Sequence, residues 1–157
     1  MLRMLNLLIL LMMALSLASA AELPSKKYLN LAAVKTMVAG AEAEEAKRGV
    51  HVTLCILDES GNILFLQRGD GAGLNTLQFA QKKARHAVLY RKPSKTAADA
   101  LKAGNMAGLV MPESFPNQGG LPILIDGQLL GAISASGAVS DVDEAIAQAG
   151  IDALFKK

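Results

Sequence analysis

His86 is one of only two histidines in this 157-residue chain, and reactive neighbours recur around it at helical spacing. Lys82, Lys83 and Tyr90 each lie about one helical turn away, so an imidazole, an amine and a phenol can share one helix face. A neutral imidazole offers a lone pair to a transition metal such as iron, and it titrates near physiological pH. The same spacing equally fits a surface histidine on a basic helix. His51 opens a strand pattern and reads as structural. Tyr90, Met106 and Met111 are further possible iron ligands, although no spacing separates them from core residues.

Other catalytic patterns are missing. Two histidines and one cysteine cannot supply the paired spacings of a zinc site. Ser134 and Ser136 fall in a strand pattern, not on the strained elbow that a serine nucleophile needs. Glu44-Glu45, Asp58-Glu59 and Asp143-Glu144 are paired carboxylates, each at a helix face, turn or helix start where a structural role suffices. The Gly69-Asp70-Gly71-Ala72-Gly73 loop fits neither the phosphate-loop nor the dinucleotide pattern. The helix start that follows it still offers free amides to an anion.

The elements that must position these residues centre on Gly119 to Gly137. Leu121–Ile125 and Leu129–Ile133 are two apolar runs joined by Asp126-Gly127, a pair suited to a type I′ turn. Both arms are apolar at nearly every residue, which predicts a hairpin at the centre of a sheet covered on both faces. Asn30 caps a helix with Leu31, Val34, Val38 and Ala41 on one face, ended by Gly49. His51 to Leu57 and Ile63 to Gln67 form a second hairpin around Asp58–Asn62. A helix over Thr76 to Tyr90 carries Leu77, Ala80, Ala84 and Val88 on one face. Ser94 caps a short helix to about Ala103, Gly104 to Gln118 is irregular, and Ser140 caps a last helix with Asp143 completing a capping box. The order predicts an α/β fold, a mainly antiparallel sheet flanked by helices.

Residues 1–20 read as a signal peptide. Arg3 precedes an apolar run from Leu5 to Leu17, and Ala18-Ser19-Ala20 is a small-residue cleavage site. The run is short for a membrane span, so no stable membrane insertion is expected after cleavage. Ala21 to Lys157 then forms one domain. The 16 lysines and arginines fall to 15 without Arg3, against 14 acids, a balance that argues against nucleic acid as a partner. Cys55, the single cysteine, excludes an internal disulfide and fits a buried strand position.

Taken in order, Asp58-Glu59-Ser60-Gly61-Asn62, Arg68-Gly69-Asp70-Gly71-Ala72, Lys83-Ala84, Arg91-Lys92-Pro93-Ser94, Gly119-Gly120-Leu121-Pro122-Ile123, Asp126-Gly127-Gln128 through Gly137, Asp143-Glu144-Ala145 and Ala149-Gly150 resemble the GlcG/HbpS haem-binding family. A similar domain ends some PduO-type corrinoid adenosyltransferases. The resemblance implies a profilin-like domain that assembles into homo-oligomers, with exported members that bind haem and others encoded beside glycolate-utilisation enzymes. It carries the family's shared polar positions onto Asp70, Lys83, Gly119, Gly120 and Asp143. Lys82 stands where the family usually has an acid, and the irregular segment before Gly119 is short. His86 as haem ligand is inferred from chemistry and is not implied by the resemblance. The reading is an exported haem-binding, periplasmic or secreted homo-oligomer, acting in haem handling or redox sensing. Two other readings compete with it. One is an enzyme or binding protein for a small carbonyl or hydroxy-acid metabolite, with Lys83 and Asp143 near the Gly119-Gly120 amides as an anion site; the other is a scaffold without ligand. Amphipathic helices over a doubly apolar sheet also leave apolar surface that self-association would cover.

Overall fold

A computed structural model describes residues 22–156; the leader reading falls outside them. Asn30 Oδ1 accepts the Ala33 amide at 2.9 Å and starts α1 (Leu31–Arg48), which Gly49 ends in the left-handed conformation. Its buried stripe is Val34, Met37, Val38 and Ala41. Leu31, assigned to that stripe from the sequence, is exposed, and Met37 replaces it because the buried face lies one residue further round the helix.

Strands β1 (Thr53–Asp58), β2 (Ile63–Arg68), β3 (Gly120–Ile125) and β4 (Gln128–Ser136) form one antiparallel sheet in the order β2-β1-β4-β3. Asp126 and Gly127 have φ of 51° and 76°, the two positive values that the expected turn requires. Only one arm of that hairpin is central, however: β4 is interior and β3 is an edge strand. Pro122 marks the edge, since a residue without an N–H cannot serve a ladder on both sides. β3 is nonetheless apolar because helices cover both of its faces.

Helices α2 (Thr76–Tyr90), α3 (Lys95–Lys102) and α4 (Ser140–Ala153), with a 3₁₀ turn at Met106–Val110, complete the chain. On one face of the sheet, Ile56, Leu121, Ile123 and Ile133 pack with Val34, Met37 and Val38 of α1 and Ala147 of α4. On the other, Cys55, Leu57 and Ala132 meet Ala80, Ala84, Ala87 and Val88 of α2. The alternation that put Thr53 and Cys55 opposite Leu54 and Ile56 therefore holds, with both faces buried. Small side chains let α2 lie close against the strands, so long polar groups on its flanks must point into the sheet or lie along its surface.

Two assigned caps differ from expectation. The N-cap of α4 is Val139, not Ser140. Ser94 makes no side-chain cap to α3; its Oγ donates to Asn117 O at 2.6 Å and accepts the Gly120 amide at 2.9 Å. Its own amide donates to Gly120 O, so Ser94 closes the exposed edge of β3 at that point.

Candidate functional site

Lys83 and His86 leave α2 in different directions. Lys83 is 1% exposed and projects across the end of the sheet. Its Nζ donates to Asp143 Oδ2 at 2.7 Å and to Ala135 O at 3.1 Å. Asp143 is 2% exposed, and its Oδ1 accepts the Ala138 amide at 2.9 Å, so the carboxylate turns back on the start of α4. Burial pushes the Lys83 ammonium below its ordinary value and the Asp143 carboxyl above, each opposed by the partner's charge. The pair ties α2 to α4 around the start of β3.

Gly119 and Gly120 are explained by that packing. A Cβ on Gly119 would lie 2.9 Å from Lys83 Nζ and from Ala135 O, and one on Gly120 would overlap the Lys83 carbonyl. The Gly120 amide is engaged by Ser94 Oγ. The anion site read from Lys83, Asp143 and the two glycine amides is therefore not available in that form. Asp70 is exposed in the loop before α2, apart from the Lys83–Asp143 pair and from the groove beside His86.

His86 is 3% exposed, which corrects the surface-histidine reading. The irregular segment after the 3₁₀ turn crosses α2 as a strap and buries it. Tyr90 Oη donates to Pro112 O at 2.6 Å, Arg85 Nε meets Glu113 Oε2 at 3.1 Å, and the Phe115 amide donates to His86 Nδ1 at 3.1 Å. Phe115 also packs edge-on against Phe79, with Lys82 Nζ 5.7 Å over its ring. The strap is thus seated on residues that recur along one side of α2.

The imidazole and the Tyr90 phenol do share a face, their rings 4.7 Å apart. They border a groove of ≈ 540 Å³ lined by His86, Tyr90, Lys92, Thr96, Ala97, Gly108, Met111 and Ser114. Neither Lys82 nor Lys83 is on it, so neither stands beside the imidazole as the helical spacing predicts, and Arg85 is held by Glu113. Met106 and His51 also lie elsewhere.

The backbone donor fixes the protonation pattern of His86. A peptide N–H can only donate, so Nδ1 must present its lone pair to Phe115 and the neutral ring carries its proton on Nε2. Burial lowers the imidazole's proton affinity and keeps it neutral. As arranged, His86 offers the groove an N–H donor. Ligation of iron through Nε2 would require the proton to move to Nδ1 and the Phe115 contact to open. Tyr90 is likewise committed to Pro112. The Met111 thioether, half exposed at the groove, is a soft lone-pair donor that no hydrogen bond holds among the described residues. Among the described residues no group of three or more His, Cys, Asp or Glu side chains forms a metal cluster, and no helix is long and apolar enough to cross a membrane.

The architecture is a sheet flanked by helices on both faces, with a groove under a strap on which a few polar groups converge. A model of the family described as "Haem degrading protein HbpS-like" matches residues 29–152, and the chain belongs to that family. It is 29% identical to protein GlcG of Escherichia coli over 112 residues, 71% of this chain and 84% of that protein. The crystal structure of a double mutant of Streptomyces reticuli HbpS superposes with a TM-score of 0.75 at 32% identity, covering 86% of this chain and 92% of that one. Klebsiella pneumoniae ORFY gives 0.78 at 26% identity, over 88% and 99%.

Proposed function

We propose that this protein binds haem in the groove between α2, α3 and the strap. The observation that carries the reading is the groove itself, whose size lies within the usual range for ligand pockets and whose walls combine Ala97, Gly108 and Met111 with a buried neutral imidazole and a lysine. Membership of the haem-degrading protein family supports it. Exposed Leu109 and Val110 follow the groove residue Gly108 on the 3₁₀ turn and add apolar surface there. Lys92 would pair with a propionate, Met111 Sδ would be available to the iron, and His86 Nε2–H would donate a hydrogen bond to a polar group of the ligand. Bound haem supplies an iron centre able to hold a further ligand or change redox state.

Titration of the protein with haemin tests this. A saturable Soret shift at micromolar haem is expected, and its absence overturns the reading. Met111→Leu, which keeps apolar volume, should alter the spectrum of the complex. The Leu5–Leu17 run and the Ala18-Ser19-Ala20 site further lead us to propose export, in haem handling or redox sensing outside the cytoplasm. Sequencing the N-terminus of protein from the extracytoplasmic fraction should give Ala21; an intact Met1 there, or retention in the cytoplasm, counts against it. Exposed Ile63 and Leu64 on β2 and Leu124 on β3 support self-association along the sheet edges. Light scattering across a dilution series should give a mass above the monomer's.

A further inference from the structure

Among the described residues four side chains carry sulfur, and only two of them meet solvent. Met37 on α1 and Cys55 on β1 are enclosed in the core on opposite faces of the sheet. Met106 and Met111 are 61% and 49% exposed. They stand at the first residue of the 3₁₀ turn and directly after its last, so the sulfur open to a dissolved oxidant is confined to the two ends of that turn.

The two methionines differ in what they border. Met106 lies outside the groove, whereas Met111 forms part of its wall. Met111 is also held in place there: the carbonyl of the next residue, Pro112, accepts the Tyr90 hydroxyl at 2.6 Å, and Glu113 after it meets Arg85. His86 and Lys92 line the same groove, and neither His86 Nε2–H nor the Lys92 ammonium has a protein partner among the described residues. The groove thus sets an oxidisable thioether in one wall with two unspent N–H donors.

We propose that Met111 is a peroxide-oxidation site and that its sulfoxide lowers the affinity of the groove for haem. The sulfur lone pair attacks one oxygen of hydrogen peroxide, and the O–O bond breaks as the S–O bond forms. The departing hydroxide then takes the proton from the transferred oxygen and leaves as water, so that sulfur is oxidised and the peroxide reduced. A flexible apolar side chain becomes a polar one bearing a strong acceptor. That acceptor would engage His86 Nε2–H or the Lys92 ammonium, the groups offered to haem, and would set an oxygen against the porphyrin. A methionine sulfoxide reductase reverses the change. The effect on affinity rests on the haem reading of the groove; the oxidation and the change it makes around His86 do not.

The test treats haem-free wild type, Met106→Leu and Met111→Leu with hydrogen peroxide, removes the excess with catalase, and follows peptide mass spectra, amide NMR and haemin titration. One added oxygen is expected on each of Met106 and Met111 and none on Met37. The amides of Gly108, Ser114 and Phe115 should shift, and haemin binding should weaken about tenfold. Met106→Leu should respond as wild type does, Met111→Leu should lose both the shifts and the change in affinity, and the reductase should restore wild type. An unoxidised Met111 beside an oxidised Met106 overturns the proposal. So does a Met111 sulfoxide with unmoved groove amides or unchanged haemin affinity, or an equal loss of affinity on peroxide treatment of Met111→Leu. If the untreated protein takes up no haemin, it is the haem reading that falls; oxidation at Met111 and its effect on the groove then stand or fall on the mass spectrum and the amide shifts alone.

Discussion

Replacing His86 with alanine tests the arrangement of strap and groove most directly. A surface histidine on a helix would tolerate the change, since alanine is the better helix former. Here it removes the acceptor of the Phe115 amide, and a part-buried donor left unsatisfied costs about 1–3 kcal/mol. It also removes the ring packed on Tyr90, worth roughly 0.5–1.5 kcal/mol. The expected loss is about 2–4 kcal/mol, a large part of a domain's ~5–15 kcal/mol. Urea unfolding followed by circular dichroism measures it. The pH dependence supplies a second readout. Burial lowers the folded-state proton affinity of His86, so the unfolded chain takes up its proton first, near pH 6.5. Wild-type stability should therefore fall as pH drops below that value and level off once the folded state also protonates. The alanine variant should lack this component. On the proposed haem reading, His86→Ala should weaken haem binding while leaving the iron's spectrum unchanged, because the imidazole presents its N–H. A variant within about 0.5 kcal/mol of wild type, with the same pH profile, would refute the strap contact. Loss of a nitrogen-ligand spectrum would show instead that Phe115 releases the ring and His86 binds the iron.

Lys83→Met should destabilise the protein by about 3–5 kcal/mol, because it leaves Asp143 charged and buried, and adding Asp143→Leu should recover much of that in a double-mutant cycle. Gly120→Ala should cost about 3 kcal/mol or more in the same unfolding assay, since its Cβ would meet the α2 backbone and not a side chain that can turn away. Cys55 is buried and its thiol is pushed up to about 12, so a thiol reagent at pH 8 should modify it only at the rate of unfolding.

Elements defined by local chemistry were legible in the sequence, and those defined by distant contacts were not. Asn30, Gly49 and the Asp126-Gly127 pair act on their own backbone, and each forms the cap or turn its residue type implies. Apolar runs failed differently. The Leu121–Ile125 arm looks interior by hydrophobicity alone, yet Pro122 carried the contrary signal, because a missing N–H is a topological fact whereas apolar content reports only burial. Ser94 and Ser140 were read as caps from position. Ser94 instead serves a strand edge that lies far along the chain, and no local pattern announces that.

The candidate site shows the same division more sharply. Lys83 and His86 are separated by less than one turn of α2, so helical spacing alone placed them together on a basic face. What separates them is the pair of elements packed on either side. Asp143, at the start of α4, draws Lys83 across the sheet end; the strap, whose own sequence has no periodicity, buries His86 by donating a backbone N–H. That bond also decides what His86 can do. An imidazole read from composition is equally a ligand, a base or a donor, and only the partner of its other nitrogen distinguishes them. In this chain the partner is an amide, which holds Nδ1 as acceptor and makes Nε2 the donor, so the chemistry of the groove depends on the segment that the sequence left irregular.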